Sequence, residues 1–362
     1  MIYLDHAATT PICEAAKKAI IEHIDDFGNP SSSHEIGHKS FMLIEEARER
    51  IAKCINAEPD EIYFTSGGSE ANTWATHCYH TYATNIEHHS NSAPGWFKVD
   101  NLGLIDEDNF ESYMRPLPYL RPQEQMVSCI MVNNEIGTIQ PIKRIAEIVH
   151  FHDKIFHTDA VQAVGHIPID VKDLGVDMLS ASGHKFGAPK GIGFLYVKNE
   201  IDLWSLVHGG KQEQGKRGGT ENVLGIVAMA AALEDAVGHM EERNNHIYNL
   251  RGELLHRLLC MTGVYLNGYL EDRVASNINV RIDGVKGDDV VSMCDQYGIC
   301  ISAGSACNEG TAIPSHVLKA IGLTDEQALS SIRITLGHEN TMDEIYSVCD
   351  ILPKIIKRLR AI

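Results

Sequence analysis

Short apolar runs rich in β-formers alternate with longer amphipathic stretches through the first half of the chain. The runs fall at Glu61–Phe64, Val127–Val132, Ile155–His157, Met178–Ser180 and Ile192–Val197. Strands alternating with helices predict an α/β layered fold around a mainly parallel sheet. One long helical stretch is predicted from about Glu221 to Cys260, Ala-rich near Met229–Leu233 and charged at Glu241-Glu242-Arg243, placed to bridge two lobes. Beyond it the units shorten. Strands are expected near Val264–Leu266, Asn277–Ile282 and Ile299–Ser302, with helices at Asp288–Tyr297 and Met342–Arg360. That change predicts a second, smaller α+β domain. The division expected is residues 13–250 for a large domain, and 1–12 with 251–362 for a small one.

The glycines of the large part gather where strands give way to helices. Ser180 to Gly193 places Lys185 at the exit of a strand inside a glycine-rich loop. A lysine held there is partly desolvated, which lowers its pKa and suits it to form a Schiff base with an aldehyde. A surface turn with two solvated lysines, Lys185 and Lys190, is the plainer reading. Phe64 to Asn72 runs from a strand through Gly67 and Gly68 into a helix start, where free amides, the helix dipole and the Ser69 hydroxyl form a cup for a phosphate. An ordinary capping box explains the same residues. Asp159 closes the run His157-Thr158-Asp159, at the strand end where open α/β sheets bind ligands, although an isolated acid there also serves as a helix cap. A phosphate cup, a strand-end acid and a lysine in a glycine loop are together the parts of a pyridoxal phosphate site, the acid keeping the ring nitrogen protonated.

Composition narrows the setting. The 362 residues are 44% hydrophobic and 22% charged, enough apolar mass for a sizeable core. With 31 basic and 49 acidic residues the net charge is -18, which disfavours a nucleic-acid partner or an anionic membrane surface. Nine scattered cysteines without a C-x-x-C pair fit reduced thiols better than disulfides or a zinc knuckle. No apolar run approaches the length of a membrane span, and the first residues lack a leader pattern, so a cytoplasmic location is expected.

The ordered motifs resemble the cysteine desulfurases of the class V aminotransferase group, which are fold type I pyridoxal phosphate enzymes. The resemblance runs from Tyr3-Leu4-Asp5-His6-Ala7-Ala8-Thr9-Thr10-Pro11 to Ser331-Ile332-Arg333-Ile334-Thr335-Leu336-Gly337. It passes through Gly28 to Ser32, the cup, Val132 to Thr138, the Asp159 segment, the lysine loop, Arg217 to Asn222 and Gly304-Ser305-Ala306-Cys307. It implies Lys185 as the Schiff-base lysine, Asp159 at the pyridine nitrogen and Gln162 at the phenolic oxygen of the cofactor. Gly68, Ser69, Ser182 and His184 would hold its phosphate, with Thr220 reaching it from the partner subunit of a homodimer. His88 would stack on the ring and handle the proton of the substrate sulfur. Asn134 and Arg333 would bind the carboxylate of L-cysteine, and Cys307, flanked by small residues that let its loop swing, would be the nucleophile that becomes a persulfide. A buried structural thiol is the alternative for Cys307. The resemblance further implies L-alanine as product and a sulfur-acceptor or scaffold protein as partner, with iron-sulfur cluster assembly or tRNA thiolation as destinations.

Two departures from the family bear on these expectations. The segment between His88 and Val99 is short where the family has a helix, so that flank of the site is expected to be more open. After the last helix, no tail of the kind that docks a scaffold is expected. Selenocysteine lyase, another β-lyase, or a degenerate scaffold protein are the rival functions. His34-Glu35-Ile36-Gly37-His38 matches a zinc-protease signature, but it follows a turn and cap and has no third ligand motif, so no metal is expected. Ser182 to Lys185 matches S-x-x-K without the S-D-N and K-T-G elements that acylases need.

Overall fold

The computed structural model describes residues 1–91, 93, 95–112, 114, 120–303, 305–308 and 311–361, with backbone alone at 96, 107–109, 305–308, 311 and 312. A seven-stranded sheet organises the first part of the chain. Its spatial order is Ile62–Thr65, Gly193–Val197, Met178–Ser182, Ile155–Asp159, Gln125–Ile130, His80–Thr84 and Gly95–Phe97. The last five of these strands run parallel, while Gly193–Val197 is antiparallel to both of its neighbours. Every described residue of the Gln125, Ile155, Met178 and Gly193 strands is buried, which is why the sequence shows continuous apolar runs there rather than alternation.

Helices cover the sheet. Glu14–His23 and Glu35–Cys54 pack on Val223–Gly238, and the main core gathers Ile44, Ile51, Phe156, Phe194, Met229 and Leu233. His34 caps the helix Glu35–Cys54, its Nδ1 accepting from the Gly37 amide (3.2 Å), so one imidazole of the zinc-like motif is spent on the backbone. A second sheet holds Ser302–Ala303, Ser331–Thr335, Asn277–Ile282 and Val264–Leu266 in that order, all antiparallel. Its own core includes Leu4, Leu254, Ile278, Val280, Ile334 and Leu352.

Three details depart from the sequence reading. The helical stretch expected from Glu221 to Cys260 is two helices, Val223–Gly238 and Met240–Leu259, bent by 69°. Gly238 is a poor helix former, and His239 leaves helical geometry (φ -114°, ψ 12°) while its Nδ1 donates to the Asp235 carbonyl (2.9 Å). The bend hands the chain from the first core to the second, where Ile247, Leu250 and Leu254 pack. The strand expected over Ile299–Ser302 is two pieces. Ile299–Cys300 pairs parallel with Ile2–Tyr3, whereas Ser302–Ala303 pairs antiparallel with the Arg333 strand. Around Cys307, where small residues read as a loop, Ser305–Asn308 and Thr311–Pro314 pair antiparallel with Cys307 opposite Ala312. Between His88 and Val99 the described residues include the edge strand Gly95–Phe97. No single helix among the described residues is long and apolar enough to cross a membrane.

Candidate active site

The carboxyl ends of the parallel strands converge on one cavity of about 320 Å³, the size of a small-molecule site. Ile130, Asp159 and Ser182, each the last residue of its strand, line it. Gly68, Ser69, His88, Asn134, Gln162, His184, Lys185 and Arg333 line it as well, so most of the residues singled out in the sequence meet in one place.

The floor of the cavity belongs to the large sheet. Gly67, at φ 151°, turns the chain from its strand into the helix Gly68–His77. A Cβ on Gly193 would lie 2.7 Å from Gly67 Cα, so this crossing needs two glycines. The Ser66 amide donates to Glu70 (2.7 Å), and Arg217 pairs with the same carboxylate (2.9 Å), tying the Arg217 to Asn222 loop to the cup. Asp159 accepts from the Val161 amide (3.0 Å) and from Asn72 Nδ2 (2.6 Å). Burial pushes its carboxyl above the usual carboxylate range, because both hydrogen-bond partners are neutral. Asn72 Nδ2 also donates to Ser90 Oγ (2.9 Å), which sits 2.7 Å from His88 Nδ1. The Ser90 amide donates to that same nitrogen (3.1 Å), which leaves the ring proton of neutral His88 on Nε2.

Lys185 follows the strand Met178–Ser182 in a single 3-10 turn. Burial first, and the Arg333 charge second, bring its amine down to about 8. Its Nζ donates to the carbonyls of Ala7 (2.6 Å) and Ala8 (2.9 Å), and Gln162 Nε2 donates to Ala7 as well (2.9 Å). Burial and the charge of Lys185 hold His184 down to about 4, so its ring is neutral.

The roof comes from the chain's first residues and the smaller sheet. Arg333 Nη1 donates to the Asn134 carbonyl (2.9 Å), and Nη2 to Asp5 Oδ1 (3.0 Å) and Ser302 Oγ (3.3 Å). Its Nε is buried without a partner among the described residues. An unpaired N–H on a guanidinium in a cavity fits an incoming carboxylate.

Two predicted residues stand apart. Thr220 is exposed and does not line the cavity of its own chain. The Cys307 side chain lies outside the described residues. Sequence reasoning passed over Asn72, Ser90, Ala7, Ala8 and Asp5. Asn72 was within reach, since it lies four residues after Gly68 and so on the same helix face as the cup. The alanines act through their carbonyls and carry no side-chain signal.

A fold whose parallel strands end on one cavity holding a desolvated lysine and a buried acid defines an enzyme of the pyridoxal phosphate type. A family model described as aminotransferase class-V matches residues 2–348, and the chain belongs to that family. It is 40% identical to the protein named cysteine desulfurase IscS of Methanosarcina thermophila, over 99% of this chain and 93% of the relative. It is 42% identical to the one of the same name from Clostridium botulinum strain Hall, over 99% and 95%. Among solved structures, a NifS-like protein from Rickettsia africae superposes with a TM-score of 0.92 at 33% identity, covering 99% of each chain. A structure described as SspA in complex with cysteine gives 0.80 at 33% identity, covering 94% of this chain and all of the other.

The residues present fit the family's cofactor. Asp159 is a buried carboxyl lacking a cationic partner, which a protonated ring nitrogen supplies. The cup offers helix-start amides and the Ser69 hydroxyl to a phosphate. A Cβ on Gly68 would meet Val161 Cγ2 at 2.5 Å, so that helix start stays bare of side chain.

Proposed function

We propose that this protein is a pyridoxal-phosphate-dependent cysteine desulfurase, converting L-cysteine to L-alanine and leaving the sulfur as a persulfide on Cys307. The observation that carries this reading is a single cavity joining Lys185 and Asp159 to Arg333, whose Nε is buried and free. Gly68, Ser69, Ser182 and His184 would hold the cofactor phosphate, with Asp159 and Gln162 at the ring and His88 against its face. The cofactor supplies an electron sink for the charge left at Cα when a bond there breaks.

The chain's own groups do the rest. Arg333 and Asn134 bind and orient the substrate carboxylate. Lys185, with its amine near neutrality, takes the Cα proton at Nζ and can return it. The Cys307 thiolate attacks the substrate sulfur. A sulfur–sulfur bond forms as the Cβ–sulfur bond breaks, Cβ takes the proton on His88 Nε2, and the proton given up by the substrate sulfur then replaces it there. The persulfide then serves an acceptor protein, for iron-sulfur cluster assembly or tRNA thiolation.

A cytoplasmic homodimer is part of the proposal. Thr220 is exposed beside a groove lined by Phe41, Gln212 and Glu221, where Gln212 Oε1 and Glu221 Oε2 are buried without partners. A second copy would satisfy them and receive Thr220 at its phosphate. The division into residues 13–250 and 1–12 with 251–362 is supported by a core of Leu4, Leu254 and the smaller sheet apart from the main one, although Ile247 and Leu250 already belong to it and Val274, Val317, Leu318, Ile321 and Ala328 pack into the main core instead.

Purified holoprotein incubated with L-cysteine should release alanine and gain one sulfur on the Cys307 peptide by mass spectrometry. Pyruvate, or alanine made only from L-selenocysteine, would overturn the reading in favour of a lyase. Light scattering that finds a fully active monomer would overturn the dimer.

A further inference from the structure

The paired strands that carry Cys307 spring from two feet, Ser302–Ala303 on one side and Ser315 on the other, and both feet reach Arg333. Ser302 lies directly opposite Arg333 across the antiparallel pair. Its Oγ donates to Asp5 Oδ1 (2.8 Å) and accepts from Arg333 Nη2 (3.3 Å). Asp5 bridges to Thr335, two residues beyond Arg333 and therefore on the same face of the sheet. On the other foot, Ser315 Oγ donates to Glu135, the neighbour of the Asn134 whose carbonyl accepts from Arg333 Nη1.

The guanidinium is thus almost fully engaged. Both N–H groups of Nη2 are spent, one on Asp5 and one on Ser302, while Nε is open. A carboxylate that takes Nε in the two-toothed geometry must also take the Nη2 hydrogen on the same edge of the fork. It therefore displaces an existing contact. The Ser302 contact is the longer and carries no charge on its acceptor, so it yields before the Asp5 ion pair does.

We propose that Asp5 and Ser302 are positioning residues that couple substrate binding to the Cys307 segment: the substrate carboxylate, on entering Arg333, releases Ser302 from the guanidinium and so loosens the foot from which Cys307 is carried. Asp5 holds the guanidinium in place during the exchange. Cysteine would then prepare its own sulfur acceptor by the group that is common to all amino acids, while its thiol is read elsewhere.

This inference rests on the desulfurase reading only for the identity of the ligand, and its test needs no turnover. The rate of Cys307 alkylation by iodoacetamide is followed by peptide mass spectrometry on the holoenzyme, with and without saturating L-alanine, which has the carboxylate and no thiol. Exposed Cys260 serves as the internal reference. Alanine should speed Cys307 alkylation about fivefold in the wild type, the worth of one net hydrogen bond, without changing Cys260. Ser302→Ala should be fast already and insensitive to alanine, and Ser302→Thr, which keeps the hydroxyl, should restore the response. A Ser302→Ala protein that responds to alanine like the wild type overturns the coupling, as does a wild type in which alanine leaves Cys307 unchanged. A wild type that responds to alanine but gains no sulfur from cysteine leaves the coupling standing and removes the desulfurase reading instead.

Discussion

The floor and the roof of the cavity are built on different physics. On the floor, burial does the tuning. It lifts Asp159, brings Lys185 down to about 8 and His184 to about 4, and the partners there are backbone groups and neutral amides. On the roof, an ion pair holds the groups in place, Arg333 against Asp5 at 3.0 Å. A floor set by desolvation is suited to a group that stays and shields it from water. A roof set by exchangeable charge pairing is suited to a ligand that comes and goes. Loss of a floor residue should therefore cost the cofactor, and loss of a roof residue should cost the substrate.

The sharpest way to break this contrast is Lys185→Ala, which should abolish borohydride-fixed cofactor and lower alanine release by about 10²–10⁴-fold. Lys190→Ala should leave both intact. On the roof, Arg333→Lys keeps the charge but loses the planar fork. KM for cysteine should rise roughly tenfold to a hundredfold, at about 1.5–3 kcal/mol for a charged hydrogen bond, with cofactor content by absorbance unchanged. If Arg333→Lys lost cofactor instead, the two halves would not be separable.

The pH dependence sharpens the floor alone. Attachment of added pyridoxal phosphate to the apoprotein needs the neutral amine of Lys185. Because its folded pKa is near 8, the initial rate should rise about tenfold per pH unit below that point and level off above it. A rate still climbing at pH 10 would mean a solvated lysine. The smallest effect is on stability and lies beneath the floor. Glu87 is buried, accepting from Thr84, Asn91 and the Ile130 amide, and burial carries it up from 4.5 to about 8. The folded protein then holds a proton that the unfolded chain releases, so this residue lowers stability as pH rises from 4.5 through 8. Glu87→Gln should remove that loss, gaining about 2–3 kcal/mol relative to wild type as pH goes from 6 to 8.5 in urea melts.

Much of the floor was legible because each of its residues sits in a local motif whose spacing already implies a strand end or a helix start. Asp159 and Lys185 needed only the alternation of apolar runs and glycine loops to be placed, whereas Ser182 came through resemblance. Asn72 escaped because an asparagine one turn into a helix looks like any polar surface position. The roof was less legible. Arg333 and Asn134 came through resemblance, but Asp5 is 328 residues away from the arginine it pairs with, and no local pattern reports such a meeting. The break at His239 was hidden because the alanine-rich run before it and the charged run after it both favour helix. The paired strands around Cys307 were hidden by small residues, whose composition reads the same in a hairpin and in a loop.

The N-terminal segment sets a schedule for folding. Ile2 pairs with Ile299, Asp5 with Arg333, and the Ala7 carbonyl holds Lys185, while Cys13 is fastened to Gly187. Asp5 thus waits for a partner 328 residues further along the chain, tens of seconds later at ordinary synthesis rates. Closing so long a loop is slow, and until it closes the lysine's carbonyl acceptors are anchored from one side only. The large sheet can form early, but the two halves of the cavity meet only once Ile299–Cys300 has paired with Ile2–Tyr3 and Arg333 has met Asp5.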